Sequence, residues 1–230
     1  MVSPASHCPN CQKPIVWYDN IPLLSFVLLR AKCRYCAQKI SPRYFFVELA
    51  NGVIWLWLWH LYGASVQFFA AAVLFSILFA VTITDFETGF IPDLLTFPGI
   101  AAGLIFSAFS PMLQNESVWF MGLGKSFLGL LVGGGTLLLI GWLGNFIFKK
   151  DSMGGGDIKL LAMIGAFIGM QKIILVFLLA PMAAMPFALY TKFFRKAETI
   201  PYGPFLALVG AIFFVYGNRI TSLILQTYGV

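Results

Sequence analysis

Two aspartates stand at the ends of apolar stretches, where an acid is costly. Asp85 follows the run 66–84, and Asp157 follows three glycines and opens the mostly apolar run 158–170. A charged side chain within the bilayer costs roughly 2.5 to 3.5 kcal/mol on insertion scales, so such acids tend to have a function. If the two carboxylates meet, they share one proton, because like charges at close range cannot both ionise. One would then activate a water while the other, protonated, polarises a scissile carbonyl, which is aspartic-peptidase chemistry.

Two other interpretations of these acids are open. Helix capping suits Asp157, which precedes an apolar run, but it suits Asp85 poorly because a negative charge at the end of a helix opposes the helix dipole. A proton-coupled transporter would use both acids as relay groups. Such transporters usually have repeat symmetry and acids near the membrane midplane, and the sequence displays neither. The pattern favours a peptidase, with the transporter as the alternative.

Further polar residues and glycines are candidates for supporting the site or binding substrate. Asp93 follows a proline and precedes an apolar run, so helix N-capping competes with a site role. Glu48 lies inside an apolar run and must face protein or water, either at the site or in an internal hydrogen bond. The glycine triplet directly before Asp157 predicts a tight, unwound backbone. The full supporting set is Gly154, Gly155, Gly156, Lys159, Asp93 and Glu48.

Four cysteines form two CxxC pairs in the polar N-terminal segment. The pairs are Cys8 with Cys11 and Cys33 with Cys36, a spacing typical of a tetrahedral four-cysteine zinc site. Disulfides or free thiols are the alternatives, but disulfides are rare on the reducing cytoplasmic side, where positive charge places this segment. Four thiolates leave no open position for water, so the predicted zinc is structural. A zinc-bearing scaffold without activity would leave the position of Asp85 unexplained.

The composition is that of a membrane protein. The 230 residues are 60% hydrophobic and 10% charged, with a mean hydropathy of +0.87, so the chain is expected to be an all-α, polytopic helix bundle. Residues 1–43 form a predicted cytoplasmic zinc segment and residues 44–230 a transmembrane peptidase domain. Seven spans are predicted, at 44–62, 66–84, 94–110, 126–148, 157–170, 173–191 and 203–225.

Positive charge orients these spans. With the N-terminus inside, twelve of the fifteen Lys and Arg residues are cytoplasmic, and Lys125, Lys172 and Arg219 are outside. This topology brings Asp85 and Asp157 to the cytoplasmic face. The positive residues that give the net charge of +6 are explained by their role in orienting the spans and by attraction to anionic lipid headgroups. No nucleic-acid partner is therefore expected. The fifth span is short, about 20 Å against about 30 Å of hydrocarbon, which predicts that Asp157 lies below the membrane surface.

The two CxxC motifs, Asp85 eight residues before Asp93, and the sequence Gly-Gly-Gly-Asp-Ile-Lys-Leu at 154–160 resemble the bacterial type IV prepilin peptidases. The resemblance implies a GxGD-type aspartic endopeptidase of the bacterial inner membrane, with Asp85 and Asp157 catalytic. Its implied substrates are type IV prepilins or type II secretion pseudopilins, cut behind a basic leader on the cytoplasmic face. Many members also methylate the new N-terminus with S-adenosylmethionine. Members usually begin with a further apolar helix, whereas seven residues precede Cys8 here, so seven spans are expected in place of eight.

Overall fold

The structure is a computed structural model that describes residues 7–149, 154–195 and 201–227. The chain forms two compact units, Met1–Trp57 and Leu58–Val230. The described residues are mainly helical, and the only β pairing among them is two isolated bridges. The all-α prediction is therefore confirmed, whereas the predicted domain boundary after residue 43 stays a prediction.

The first unit contains two cysteine turns of matching geometry. The backbone N–H of Gln12 donates to the Cys8 carbonyl at 2.9 Å, and that of Ala37 donates to the Cys33 carbonyl at 3.0 Å. Gln12 and Ala37 each follow the second cysteine of a pair and have left-handed φ values of 57° and 55°. One bridge closes each turn, His7 with Pro14 and Lys32 with Lys39. A 3-10 helix Trp17–Asn20, the short helix α1 Leu24–Leu28 and most of α2 Pro42–Tyr62 complete the described part of this unit.

The second unit is a bundle of long helices. After the end of α2 these are α3 Val66–Thr88, α4 Asp93–Phe109, α5 Trp119–Phe148, α6 Gly155–Ile168, α7 Met170–Tyr190 and α8 Gly203–Thr227. A 3-10 helix Pro111–Gln114 joins α4 to α5, and a π-helix Thr191–Arg195 continues α7.

Helix α6 is the centre of the bundle. Nine consecutive residues of it, from Leu160 to Ile168, are buried, and α3, α4, α5, α7 and α8 all contact it. A helix that is apolar on every side belongs in a core. The core around it therefore fixes where Asp157, in its first turn, is held.

Glycines allow α5 to approach α6 closely. A side chain on Gly129 would overlap the Gly165 carbonyl oxygen, and one on Gly165 would overlap the Gly129 carbonyl oxygen. In the same way, Gly103 of α4 faces Ala166 of α6, where an added Cβ would lie 2.9 Å from the alanine Cβ. The small-xxx-small spacing of these glycines predicts close helix packing, and the structure confirms it.

The C-terminal end of α6 is inside the protein, where three polar side chains satisfy its carbonyls. Gln114 donates to the carbonyls of Ala166 and Phe167 at 3.3 and 3.1 Å, and Ser107 and Ser126 both donate to the Ala166 carbonyl. All three donors are buried. At about 1.5 Å per residue the 14-residue helix is about 21 Å long, shorter than the hydrocarbon layer. The helix at the predicted fifth span, α6, is therefore short, as predicted.

Each predicted span coincides with a helix, with one large boundary error. Helix α5 begins at Trp119, seven residues before the predicted start at 126, so Lys125 is helical and does not lie in a loop. Among the described residues, four helices are long and apolar enough to cross a membrane, namely Val66–Thr88, Trp119–Ile147, Met170–Phe194 and Gly203–Ile224, and Asp93–Phe109 is a shorter apolar helix. The chain is a multi-pass membrane protein, while the count of seven crossings stays a prediction.

Candidate active site

Asp85 and Asp157 line the same cavity, which has a volume of about 240 Å³. Asp85 lies in the last turn of α3 and Asp157 in the first turn of α6. Helix α3 continues three residues past Asp85 and ends at Gly89, whose φ of 64° suits a helix C-terminus. The predicted span 66–84 therefore lies within a longer helix, and Asp85 is near the C-terminal end of that helix, as the sequence indicated. The structure brings the two acids to one site.

The Asp85 carboxylate is buried and receives a backbone hydrogen bond from a distant helix. The backbone N–H of Gly203, the first residue of α8, donates to Asp85 Oδ2 at 2.9 Å. A Cβ on Gly203 would lie 2.8 Å from that oxygen, so a residue without a side chain is required. The first N–H groups of a helix have no intrahelical partner and carry the positive end of its dipole. The start of α8 is thus an electrostatic partner for Asp85.

Ile91 holds three helix ends together around the cavity. It lies in the link between α3 and α4 and is buried. A Cβ on Gly156 of α6 would lie 2.8 Å from Ile91 Cβ, and a Cβ on Gly203 of α8 would lie 2.9 Å from Ile91 Cδ1. One apolar side chain therefore sets the approach of the N-terminal ends of α6 and α8 to the C-terminal end of α3.

The glycine triplet is mostly helical, and the prediction of an unwound backbone is wrong for two of its members. Gly154 is the N-cap residue with extended geometry, whereas Gly155 and Gly156 belong to the first turn of α6. Space explains two of the glycines, because Gly156 faces Ile91 and a Cβ on Gly154 would lie 3.0 Å from Asp157 Oδ2, whereas a Cβ on Gly155 would meet nothing within 4 Å. Asp157 is the third helical residue and does not occupy the N-cap position.

Asp93 and Lys159 form an ion pair on the wall of the cavity. Lys159 Nζ lies 2.6 Å from Asp93 Oδ1 and 5.3 Å from the centre of the Phe97 ring. Asp93 is the first residue of α4 and Pro92 is its N-cap residue, so the predicted N-cap role of Asp93 is off by one position. Both charged groups are partly exposed, which makes this pair a weak source of stability.

Glu48 lies on α2, in the first unit. Its carboxylate accepts a hydrogen bond from the backbone N–H of Leu23 at 2.8 Å, and Leu23 has a left-handed φ of 61°. Of the two interpretations of Glu48, the geometry matches the internal hydrogen bond. That bond joins the start of α1 to α2 within the first unit.

The sequence analysis did not identify Tyr202, Gly203 and Ile91 as residues near the two acids. Burial raises the pKa of the Tyr202 phenol above its usual value, so Tyr202 stays protonated at neutral pH. The available signal was the Tyr-Gly-Pro sequence at 202–204 directly before an apolar run. A proline is favoured near the first position of a helix, and a preceding glycine leaves the backbone N–H accessible.

The four cysteine sulfurs have the geometry of a metal site. All four lie within 4.8 Å of one another, and Cys8 Sγ is 3.8 Å from Cys36 Sγ. Tetrahedral zinc with Zn–S bonds of about 2.3 Å separates its sulfurs by about 3.8 Å. The donor set therefore fits a structural metal ion.

Two protein-family models match the chain. Residues 1–62 match the bacterial peptidase A24 N-terminal domain, and residues 72–189 match the type IV leader peptidase family. No solved structure matches the chain.

Curated relatives cover most of the chain at similar identity. Proteins from Klebsiella pneumoniae, Stutzerimonas stutzeri and Vibrio cholerae are 38%, 37% and 37% identical to it, over 79%, 97% and 91% of this chain and 76%, 75% and 80% of their own lengths. Each of the three is named prepilin leader peptidase/N-methyltransferase. The similarity therefore extends over both compact units.

Proposed function

The chain belongs to the type IV leader peptidase family, and from this premise we propose that it cleaves the leader peptide from type IV prepilins or related pseudopilins with Asp85 and Asp157 as its catalytic pair. The observation that carries this proposal is that the two acids line one cavity from the ends of two different helices. A transporter with relay acids is not supported by the family match.

The different surroundings of the two acids support a different proposed role for each. A hydrogen bond to a charged group contributes about 1.5 to 3 kcal/mol, and Asp85 receives such a bond from Gly203. Asp157, at the start of α6, has the weaker stabilisation of a helix dipole, about 0.3 to 1 kcal/mol. The shared proton therefore resides on Asp157, and Asp85 is the ionised partner.

The reaction follows from this assignment. Asp85 takes a proton from a water molecule as the water oxygen bonds to the scissile carbonyl carbon, and Asp157 gives its proton to the carbonyl oxygen. In the second step the carbon–nitrogen bond breaks, Asp85 passes its proton to the leaving amine, and Asp157 recovers a proton from the diol oxygen. Both carboxyl groups return to their starting protonation states. Neither a nucleophilic side chain nor a metal takes part in these steps.

The supporting residues have proposed roles around this pair. Gly154 and Gly156 provide space beside Asp157 and Ile91, and Gly155 continues the first turn of α6. The Asp93–Lys159 ion pair borders the cavity and joins α4 to α6, which positions the wall against which substrate binds. Glu48 supports the fold of the first unit.

We propose two cofactors for this chain. The Cys8, Cys11, Cys33 and Cys36 thiolates would hold one structural zinc ion, as their sulfur spacing supports. S-adenosylmethionine would supply a methyl group to the amine that cleavage releases. The methylation proposal rests on the names of the relatives, since the sequence has no separate glycine-rich nucleotide motif.

The proposed location is the bacterial inner membrane with the N-terminus in the cytoplasm. The positive-inside distribution of Lys and Arg supports this orientation. The catalytic pair then faces the cytoplasm, where a prepilin presents its basic leader.

Cleavage of a purified prepilin by the full chain in lipid tests the catalytic assignment. Asp85→Asn and Asp157→Asn should each abolish cleavage while the helical circular dichroism is unchanged. Glu116→Gln is the matched control, because Glu116 pairs with Lys125 outside the cavity and also loses one charge. Near-normal cleavage by either Asp variant would contradict the proposal that Asp85 and Asp157 are the catalytic pair.

A further inference from the structure

A second cavity lies at the other end of the bundle. Its volume is about 150 Å³, and it lies between the ends of α3, α6 and α7 and the C-terminal half of α8. Gln67, which lines it, is 18 residues before Asp85 on α3, a distance of about 27 Å along the helix. The predicted orientation places this cavity toward the outer leaflet. It is separate from the peptidase site.

The cavity contains a buried lysine without a partner. Lys172, in the first turn of α7, is 8% exposed and lines the cavity. Among the residues that the structure describes, Lys172 has no hydrogen bond or ion pair. Lys125, a nearby cation that acts on Lys172, is paired with Glu116. No fully buried side-chain nitrogen or oxygen among the described residues lacks a hydrogen-bond partner, so the Lys172 ammonium reaches the open volume of the cavity. A counter-charge there would offset the cost of its partial burial.

The fold holds the lysine in this position. Its aliphatic stem packs on Gly217 of α8, where an added Cβ would lie 2.9 Å from Lys172 Cδ. The ammonium also lies at the N-terminal end of α7, where the helix dipole is already positive and a cation is unfavourable. The Lys172 ammonium and the positive end of the α7 dipole therefore both act on this cavity.

The remaining polar groups of the cavity suit an oxyanion. Tyr62 and Gln67 have neutral side chains that can donate hydrogen bonds, and the Asn218 amide has one further N–H besides the one it donates to Asn115. The described lining contains no carboxylate. Next to these groups lies Met112, which is 69% exposed and apolar. The site thus combines a cation and neutral donors with an apolar rim.

We propose that this cavity binds a phosphate oxyanion through Lys172. The phosphate comes either from a phospholipid headgroup, whose glycerol and acyl chains would lie along the apolar rim, or from free inorganic phosphate. Basic pockets between membrane helices bind lipid headgroups in the same chemical manner.

Binding to the delipidated full chain tests the proposal. Native mass spectrometry would count bound phosphatidylglycerol, and inorganic phosphate alone would be titrated against thermal unfolding. Lys172→Gln should weaken binding by at least about tenfold, the effect of losing a charged hydrogen bond. Lys149→Gln removes a positive charge at the C-terminal end of α5, about 40 Å along that helix from Gly122, which faces Pro111 next to the cavity, and it should bind like the unchanged protein. Gly217→Ala keeps the ammonium but displaces its stem, and should also weaken binding.

The outcomes separate the two sources. Lys172-dependent binding of phosphatidylglycerol identifies a lipid headgroup, whereas Lys172-dependent stabilisation by inorganic phosphate alone identifies free phosphate. The proposal is overturned if neither binds the unchanged protein, or if Lys172→Gln binds both as tightly as the unchanged protein. Prepilin cleavage by Lys172→Gln should be normal at this distance, so the result is independent of the peptidase assignment.

Discussion

At the scale of single residues, the backbone N–H of Gly203 makes the two acids unequal. A pair of identical carboxylates needs an asymmetric environment before one can act as base and the other as acid. Gly203 supplies that asymmetry by donating to Asp85, and it can do so because it is the first residue of α8 and lacks a side chain.

Gly203→Ala should therefore lower the kcat/KM of prepilin cleavage by at least about tenfold, since a charged hydrogen bond contributes about 1.5 to 3 kcal/mol. Gly210→Ala, in the same helix α8, is the control. A Cβ at Gly210 would lie 3.0 Å from Ile164 of α6 and would not face either acid. Equal loss of activity in the two variants would show a general packing defect and contradict the assigned role of Gly203. Cleavage rates with matched circular dichroism spectra decide between these results.

Sequence reasoning reached the acids but not their environment. Asp85 and Asp157 stand out because an acid beside an apolar run is costly. Gly203 acts through its backbone N–H, which every residue except proline has, so its residue type gives no direct signal. Ile91 is one apolar residue among many, and its position between two glycines depends on tertiary packing.

At the scale of elements, the short helix α6 carries Asp157 in its first turn and is fixed at its other end by polar side chains. It begins at the cavity and ends inside the protein, where Gln114 and two serines satisfy its last carbonyls. Backbone groups in a membrane environment must be satisfied within the protein. The apolar pattern predicted a short helix here, but its polar caps come from three separate segments and could not be assigned to it from sequence.

Gln114→Leu should lower the thermal unfolding midpoint in detergent, because it leaves the Phe167 carbonyl without the donor that Gln114 supplies. Loss of a partner for a buried polar group costs about 1 to 3 kcal/mol. Ser107→Ala should have a smaller effect, because Ser126 and Gln114 still donate to the Ala166 carbonyl. If Ser107→Ala is the more destabilising change, the capping role of Gln114 is wrong.

At the scale of the whole molecule, the two compact units are stabilised in different ways. The second unit has a large apolar core around α6. In the described part of the first unit, Cys8 is the one buried residue. A small unit without an apolar core generally needs a metal or another cross-link to fold. The cysteine spacing predicted this need from sequence, because ligand spacing is local, whereas the geometry of the two turns required the structure.

Metal analysis should therefore find one zinc ion per chain, and Cys36→Ser should lose it. Tyr35→Phe is the control, because Tyr35 lies between Cys33 and Cys36 and is not a ligand. This variant should keep the metal. Chelation should unfold the first unit and leave most of the helical signal, because the second unit does not depend on zinc. A well-folded first unit that contains no metal would contradict this account.

The central claim is that Asp85 and Asp157, which line a single cavity, act together on one scissile peptide bond. The binding of a leader-peptide analogue, with a hydroxyl-bearing carbon in place of the scissile carbonyl, tests this claim most directly. Such transition-state analogues bind at least about a hundredfold more tightly than substrates. We predict that Asp85→Asn and Asp157→Asn each weaken binding by at least about tenfold, while Glu116→Gln binds normally. Unchanged affinity in either Asp variant would contradict the claim that the two carboxylates meet at the reacting carbon.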